Sequence, residues 1–124
     1  MLREVITYTD YNDVERTEEF WFNFTKAEAM ELELSTTGGL SATIDRIVAA
    51  KDIPTLIKLF KELVLKAYGE KSADGKRFIK VDNNGHRLAD DFAQTEAYSI
   101  LFMKLATDTD AASKFVNGIV PKDN

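Results

Sequence analysis

The segment that most constrains this chain runs from Ile53 to Ala67. There Ile53, Leu56, Ile57, Phe60, Leu63, Val64 and Ala67 recur at three- and four-residue steps. That spacing writes one apolar stripe along an α-helix, and a stripe so complete must be buried against other elements. Asp52 supplies an N-cap carboxylate, and Pro54 fits the first turn, where its missing amide costs nothing. Gly69, following Tyr68, is expected to cap the C-terminus. Leu56, Phe60 and Leu63 are the first core candidates.

The residues before this helix must supply something for it to pack on. Leu2, Ile6 and Tyr8 alternate with Arg3, Val5 and Thr7, with Glu4 breaking the apolar parity. Asp10 to Asp13 is rich in turn formers, and Phe20, Phe22 and Phe24 then mark one face of a second strand. Residues 1–24 therefore read as a β-hairpin that needs an apolar cover. Trp21 lies on the face opposite the phenylalanines, where it packs under a helix, pairs with an aromatic such as Tyr8, or stands exposed. Thr25 and Glu28 have the spacing of a capping box, which opens a helix over about residues 26–34 with Ala27, Met30 and Leu34 near one stripe. Glu31 and Glu33 are expected to face solvent. Gly38-Gly39 breaks the chain, and Ile44, Ile47 and Val48 mark a short helix before Asp52.

Residues 69–91 are expected to form an irregular surface segment. Asp74-Gly75 and Asn83-Asn84-Gly85 are turn signals, and Lys76 to Lys80 is a short strand or an extended arm. Residues 92–121 then form a closing helical pair. Thr95 caps a helix whose broad apolar face carries Ala97, Tyr98, Leu101, Phe102 and Leu105, widened by Ile100 and Met103. Asp108 or Thr109 caps the last helix, with Ala111, Ala112, Phe115 and Val116 on its packing side. Gly118 is expected to end it, Pro121 blocks its extension, and Lys122 to Asn124 is expected to fray. With 25–68 as the central helical section, the whole of 1–124 reads as a single α+β domain. It is a mainly helical small domain with an N-terminal β-hairpin packed on four or five helices.

The chemistry such a domain can perform is narrow. Cysteine is absent, which removes disulfides and thiolate metal ligands. The sole histidine, His86, sits beside an Asn-Gly turn with no second histidine, and reads as exposed or locally hydrogen-bonded. Asp108 and Asp110 read as helix caps, and Asp82 to Gly85 lacks the ligand spacing of a calcium loop. Asp90-Asp91 suits a helix start, while Glu18 and Glu19 point to opposite strand faces. No catalytic residue, cofactor or metal is expected, and the chain reads as a non-enzyme.

The net charge is −5, and residues 1–34 carry nine acids against three bases. Residues 69–91 balance five bases with five acids. Neither distribution suits phosphate neutralisation, so nucleic acid is not an expected partner. No apolar run approaches the roughly 20 residues that span a bilayer, so no membrane is expected either. The start, Met1-Leu2-Arg3-Glu4-Val5, lacks the pattern of a secretory signal. An acidic surface can instead select a basic partner.

Several strings add a resemblance. Tyr68-Gly69-Glu70-Lys71-Ser72, Asp74 to Lys80, Phe92 to Tyr98, Leu101 to Asp108 and Phe115 to Pro121 resemble the tail assembly chaperones of siphophages, encoded near the tape measure protein. The resemblance covers about residues 50–121. It implies binding to the tape measure protein in the host cell cytoplasm, where the chaperone covers apolar helical surface until tail-tube subunits replace it. In many such systems a frameshifted longer product exists. Tyr98, Phe102 and Met103 are the candidate partner-binding residues, on a strip that Phe115 and Ile119 could join, and the same strip could serve self-association. The alternative is a structural tail or virion protein retained in the particle.

Overall fold

The computed structural model describes residues 1–35 and 38–121. The expected fraying of Lys122 to Asn124 lies outside the described residues. Two eight-residue strands, β1 (Leu2–Thr9) and β2 (Glu15–Phe22), form the expected hairpin, paired in register from Leu2↔Phe22 to Thr9↔Glu15. Asp10 organises the turn by accepting from the amides of Asn12 and Val14. The capping box of Thr25 and Glu28 opens α1 (Lys26–Ser35). Its two reciprocal bonds measure 2.9 and 3.2 Å. Then follow α2 (Leu40–Ala49) and α3 (Ile53–Ala67), the second capped by Asp52, whose side chain accepts from the Thr55 amide.

Segment 69–91 contributes more order than its turns suggested. β3 (Tyr68–Lys71) pairs with β2, and β4 (Phe78–Ile79) pairs with β3, giving an antiparallel sheet of order β1-β2-β3-β4. The fold class is α+β and mainly helical, as the sequence indicated, with a four-stranded sheet in which the N-terminal hairpin supplies two strands. Gly69 is not the helix cap expected of it. The chain passes from α3 straight into β3 through an extended Tyr68. A Cβ on Gly69 would stand 2.6 Å from the Phe78 ring and 2.7 Å from the Ile79 carbonyl oxygen, so glycine is required there by close approach of β4.

Short α4 (Leu88–Phe92) leads to α5 (Glu96–Thr107) and α6 (Thr109–Ile119). Thr95 and Asp108 cap the last two, accepting from the Tyr98 amide and from the amides of Asp110 and Ala111. Gly118 does not terminate α6, which runs to Ile119. Instead Leu2 packs over it, with Cδ1 2.9 Å from where a Cβ would sit.

Ile6 and Phe22 are buried on the inner face of the sheet, Phe24 is buried just beyond the end of β2 and not in the strand expected to carry it, and the helices close over them. Phe60, Leu63, Val64 and Ala67 bury the C-terminal part of the predicted stripe of α3, while Leu56 and Ile57 are half-buried and Ile53, in the first turn, is 53% exposed. Phe92 stands at the centre: its ring lies 4.2 Å from that of Tyr68, 5.2 Å from Phe20, and 5.7 Å from each of Phe22 and Tyr98. Five-residue α4 therefore positions a hub for rings from β2, β3 and α5. Two backbone bonds close the assembly, from the Asn23 amide to the Ala67 carbonyl and from Phe24 to Ile119.

One packing expectation is reversed. α1 turns Ala29 and Leu32 inward, leaving Met30 66% and Leu34 82% exposed. Alternation of acids with apolar residues spreads the latter around this helix, so no single stripe dictates its face. Polar contacts accompany this packing: Glu28 joins the Thr25 amide and the Lys80 ammonium, the latter at 2.8 Å. Nor does Glu33 simply face water. Its carboxylate accepts from the Leu40 amide at 3.2 and 3.3 Å, satisfying a free donor at the start of α2.

Candidate functional site: the uncovered faces of the helical layer

α5 has two kinds of apolar surface, separated by its periodicity. Ala97, Leu101 and Leu105 recur every four residues and are buried. Tyr98 and Phe102 flank that stripe and are half-buried, with rings stacked at 5.9 Å. Tyr98 also meets Phe92 edge-on, which anchors the pair to the aromatic hub. Burial raises the pKa of its phenol above the ordinary value. Met103 and Ile100 point away from the core and are 57% and 43% exposed. Lys104, beside Met103, reaches Glu4 on β1 at 3.7 Å.

The three residues singled out in the sequence are therefore divided. Met103 is free for contact, whereas Tyr98 and Phe102 offer one edge and lend the other to packing. Phe115 and Ile119 do not join the strip, because α6 turns both into the core at 1% and 0% exposure. Their helix buries its own apolar stripe of Ala112, Phe115 and Ile119.

A second apolar surface was not foreseen. Leu40, Phe60 and Ala112 form the floor of a groove of about 520 Å³ between α2, α3 and α6, and Ile44, Val116 and Val120 line its walls. Among the described residues, Glu33 and Asp45 are the charged ones lining it. Its walls come from helices distant in the chain, so no local spacing announces it. The nearest signal was that Val116 and Val120 continue the apolar face of α6 beyond Ala112.

On the outer sheet face, Trp21 is half-buried under the Lys71 ammonium, 4.2 Å from its ring centroid. It pairs with Arg3 in register and so does not meet Tyr8. Glu19 on this face pairs with Arg3 at 3.0 Å, while Glu18 on the inner face accepts from the Tyr8 hydroxyl. The two glutamates are thus kept apart, as strand geometry demanded.

His86 Nε2 lies 3.0 Å from Asp91 Oδ1, across the start of α4. That hydrogen bond and the carboxylate charge raise the imidazole pKa above its usual value. Among the described residues no group of three or more His, Cys, Asp or Glu side chains is placed to hold a metal ion. No buried side-chain polar atom there lacks a hydrogen-bond partner. Nor is any helix among them long and apolar enough to cross a membrane. What the geometry presents for recognition is apolar helical surface bordered by carboxylates.

The whole chain, residues 1–124, matches the sequence profile of a family described as phage tail assembly chaperone. No curated protein and no solved structure matches.

Proposed function

The chain belongs to the phage tail assembly chaperone family, and from that premise we propose that it covers apolar helical segments of the tape measure protein until the tail tube polymerises around it. It acts by stoichiometric binding, without catalysis, in the host cell cytoplasm during virion assembly. The observation that carries this reading is the uncovered flank of α5. Met103 and Ile100 stand more than two-fifths exposed on a helix whose opposite side is locked into the core. A chaperone must keep such side chains available, because masking a partner's apolar stripe requires apolar surface of its own. Met103 suits the task chemically: its unbranched, polarisable side chain adapts to more than one partner shape. Tyr98 and Phe102 supply the rigid edge against which a docked helix would pack.

Co-expression with the full-length tape measure protein, followed by affinity purification, tests the reading. Retention of soluble tape measure by the wild-type chain, and its loss in Met103→Glu with an unchanged melting temperature, is the expected result. A tape measure that remains insoluble or unbound beside a folded wild-type chain contradicts it. Stoichiometric retention of the chain in purified virions would instead favour the structural-protein alternative.

A further inference from the structure

We infer that the groove between α2, α3 and α6 seats one amphipathic helix of the tail partner, with its apolar stripe on Phe60 and a lysine or arginine against Glu33 and Asp45. This rests on the chaperone reading above and assigns it a second, deeper seat. The depth comes from Leu40, Phe60 and Ala112, which are 4%, 6% and 4% exposed and form an apolar floor. Ile44, Val116 and Val120 pack against the core from the sides while staying only partly covered. The volume of about 520 Å³ is in the range of ligand-sized sites, and an apolar groove between helices suits helix anchors at i, i+3 or i+4, and i+7.

The lining chemistry selects the occupant. No buried polar or charged residue is found among the described residues, so nothing deep in the groove could orient a polar metabolite. Recognition must come from apolar contact below and from the polar rim, where Ser113 and Asn117 join the two carboxylates. Among the described residues the rim's charge has one sign, because two acids and no cation of theirs line the groove. Glu33 is partly engaged by the Leu40 amide. Asp45, exposed, has no hydrogen bond or ion pair to the other described residues. A basic residue flanking an apolar helical stripe would complement this rim and fix the direction of the docked helix. A second copy of this chain fits poorly: its net charge is −5 and its own groove is equally acidic.

The test uses the full chain co-expressed with the full-length tape measure protein, comparing wild type, Asp45→Lys, Val116→Glu and Met103→Glu. The chain alone is followed by light scattering and thermal melting. Asp45→Lys should lower the retained tape measure several-fold at low ionic strength, and the deficit should shrink at about 0.5 M salt, where rim charges are screened. Val116→Glu should lower it about tenfold or more, a loss of about 1.4 kcal/mol per decade. If Val116→Glu does not fold, the exposed Asp45→Lys decides alone. Groove variants that retain tape measure like wild type while Met103→Glu loses it overturn the inference and leave the chaperone reading standing. A wild-type chain that retains none sinks both. A wild-type dimer that Val116→Glu converts to monomer would make a second copy the occupant, which also overturns the inference.

Discussion

Replacing Phe92 with alanine should damage this protein more than any other single truncation in the α4 region. The side chain is 2% exposed and touches four rings, one of them stacked at 4.2 Å with planes 4° apart. Truncating a buried phenylalanine costs about 3–5 kcal/mol, and the lost ring contacts place this site near the top of that range, about 4–5 kcal/mol. Unfolding entropy of about 2.1 cal/mol/K per residue gives about 0.26 kcal/mol/K for this chain, so the melting temperature should fall by about 15–19 °C. Urea unfolding followed by circular dichroism measures the loss directly, with an unchanged slope showing that compactness is preserved. Phe92→Leu keeps apolar bulk but removes the rings' partner, and should cost about 1–2 kcal/mol. A Phe92→Ala protein within about 1 kcal/mol of wild type would refute the hub, because a ring so enclosed could not then be what joins β2, β3 and α5.

Other outcomes follow from the same contacts. Gly69→Ala should destabilise by about 1–3 kcal/mol, because the added methyl meets the Ile79 carbonyl oxygen at 2.7 Å and backbone cannot step aside; a chemical melt checks it. His86 should titrate above the usual imidazole value, 6.5, in an NMR pH series, and Asp91→Asn should bring it back. Its raised pKa means that this contact stabilises fully below that usual value and fades as pH rises through the folded-state pKa. Burial opposes ionisation of Glu28, but bonds from Lys80 and the Thr25 amide outweigh it and hold the carboxyl below its usual 4.5. Its stabilisation is therefore present above 4.5 and lost as pH falls through the lowered value, and Glu28→Gln should flatten that limb of an acid-unfolding curve. Met103→Glu, changing a 57% exposed residue, should leave stability within about 0.5 kcal/mol in a thermal melt while removing partner binding.

The contrast between α3 and α1 shows what the sequence could and could not disclose. In α3 the apolar residues fall on one stripe, and Phe60, Leu63, Val64 and Ala67 are buried as that stripe requires. In α1 they are distributed around the axis, and the face that meets the core carries Ala29 and Leu32, with Glu28 paired to Lys80, 52 residues away. Helix caps were legible because Thr25, Asp52, Thr95 and Asp108 act within three residues of themselves. Gly69 and Gly118 were misread for the opposite reason. Each lies against a distant residue, Phe78 and Ile79 for Gly69 and Leu2 for Gly118, whose approach no local pattern records. Candidate contacts divide in the same way. Met103 was visible as surplus apolar surface on α5, whereas the acidic groove exists only once α2, α3 and α6 have converged.

The proposed role requires this chain's exposed apolar surface to hold the tape measure protein before the tail is built. Its most direct measurement is the amount of soluble tape measure that co-purifies with the chain when the two are expressed together. A soluble complex is expected with wild type, and tape measure lost to the insoluble fraction with Met103→Glu despite an intact fold. Equal solubility of tape measure with and without the chaperone, and no association between the two, would contradict it.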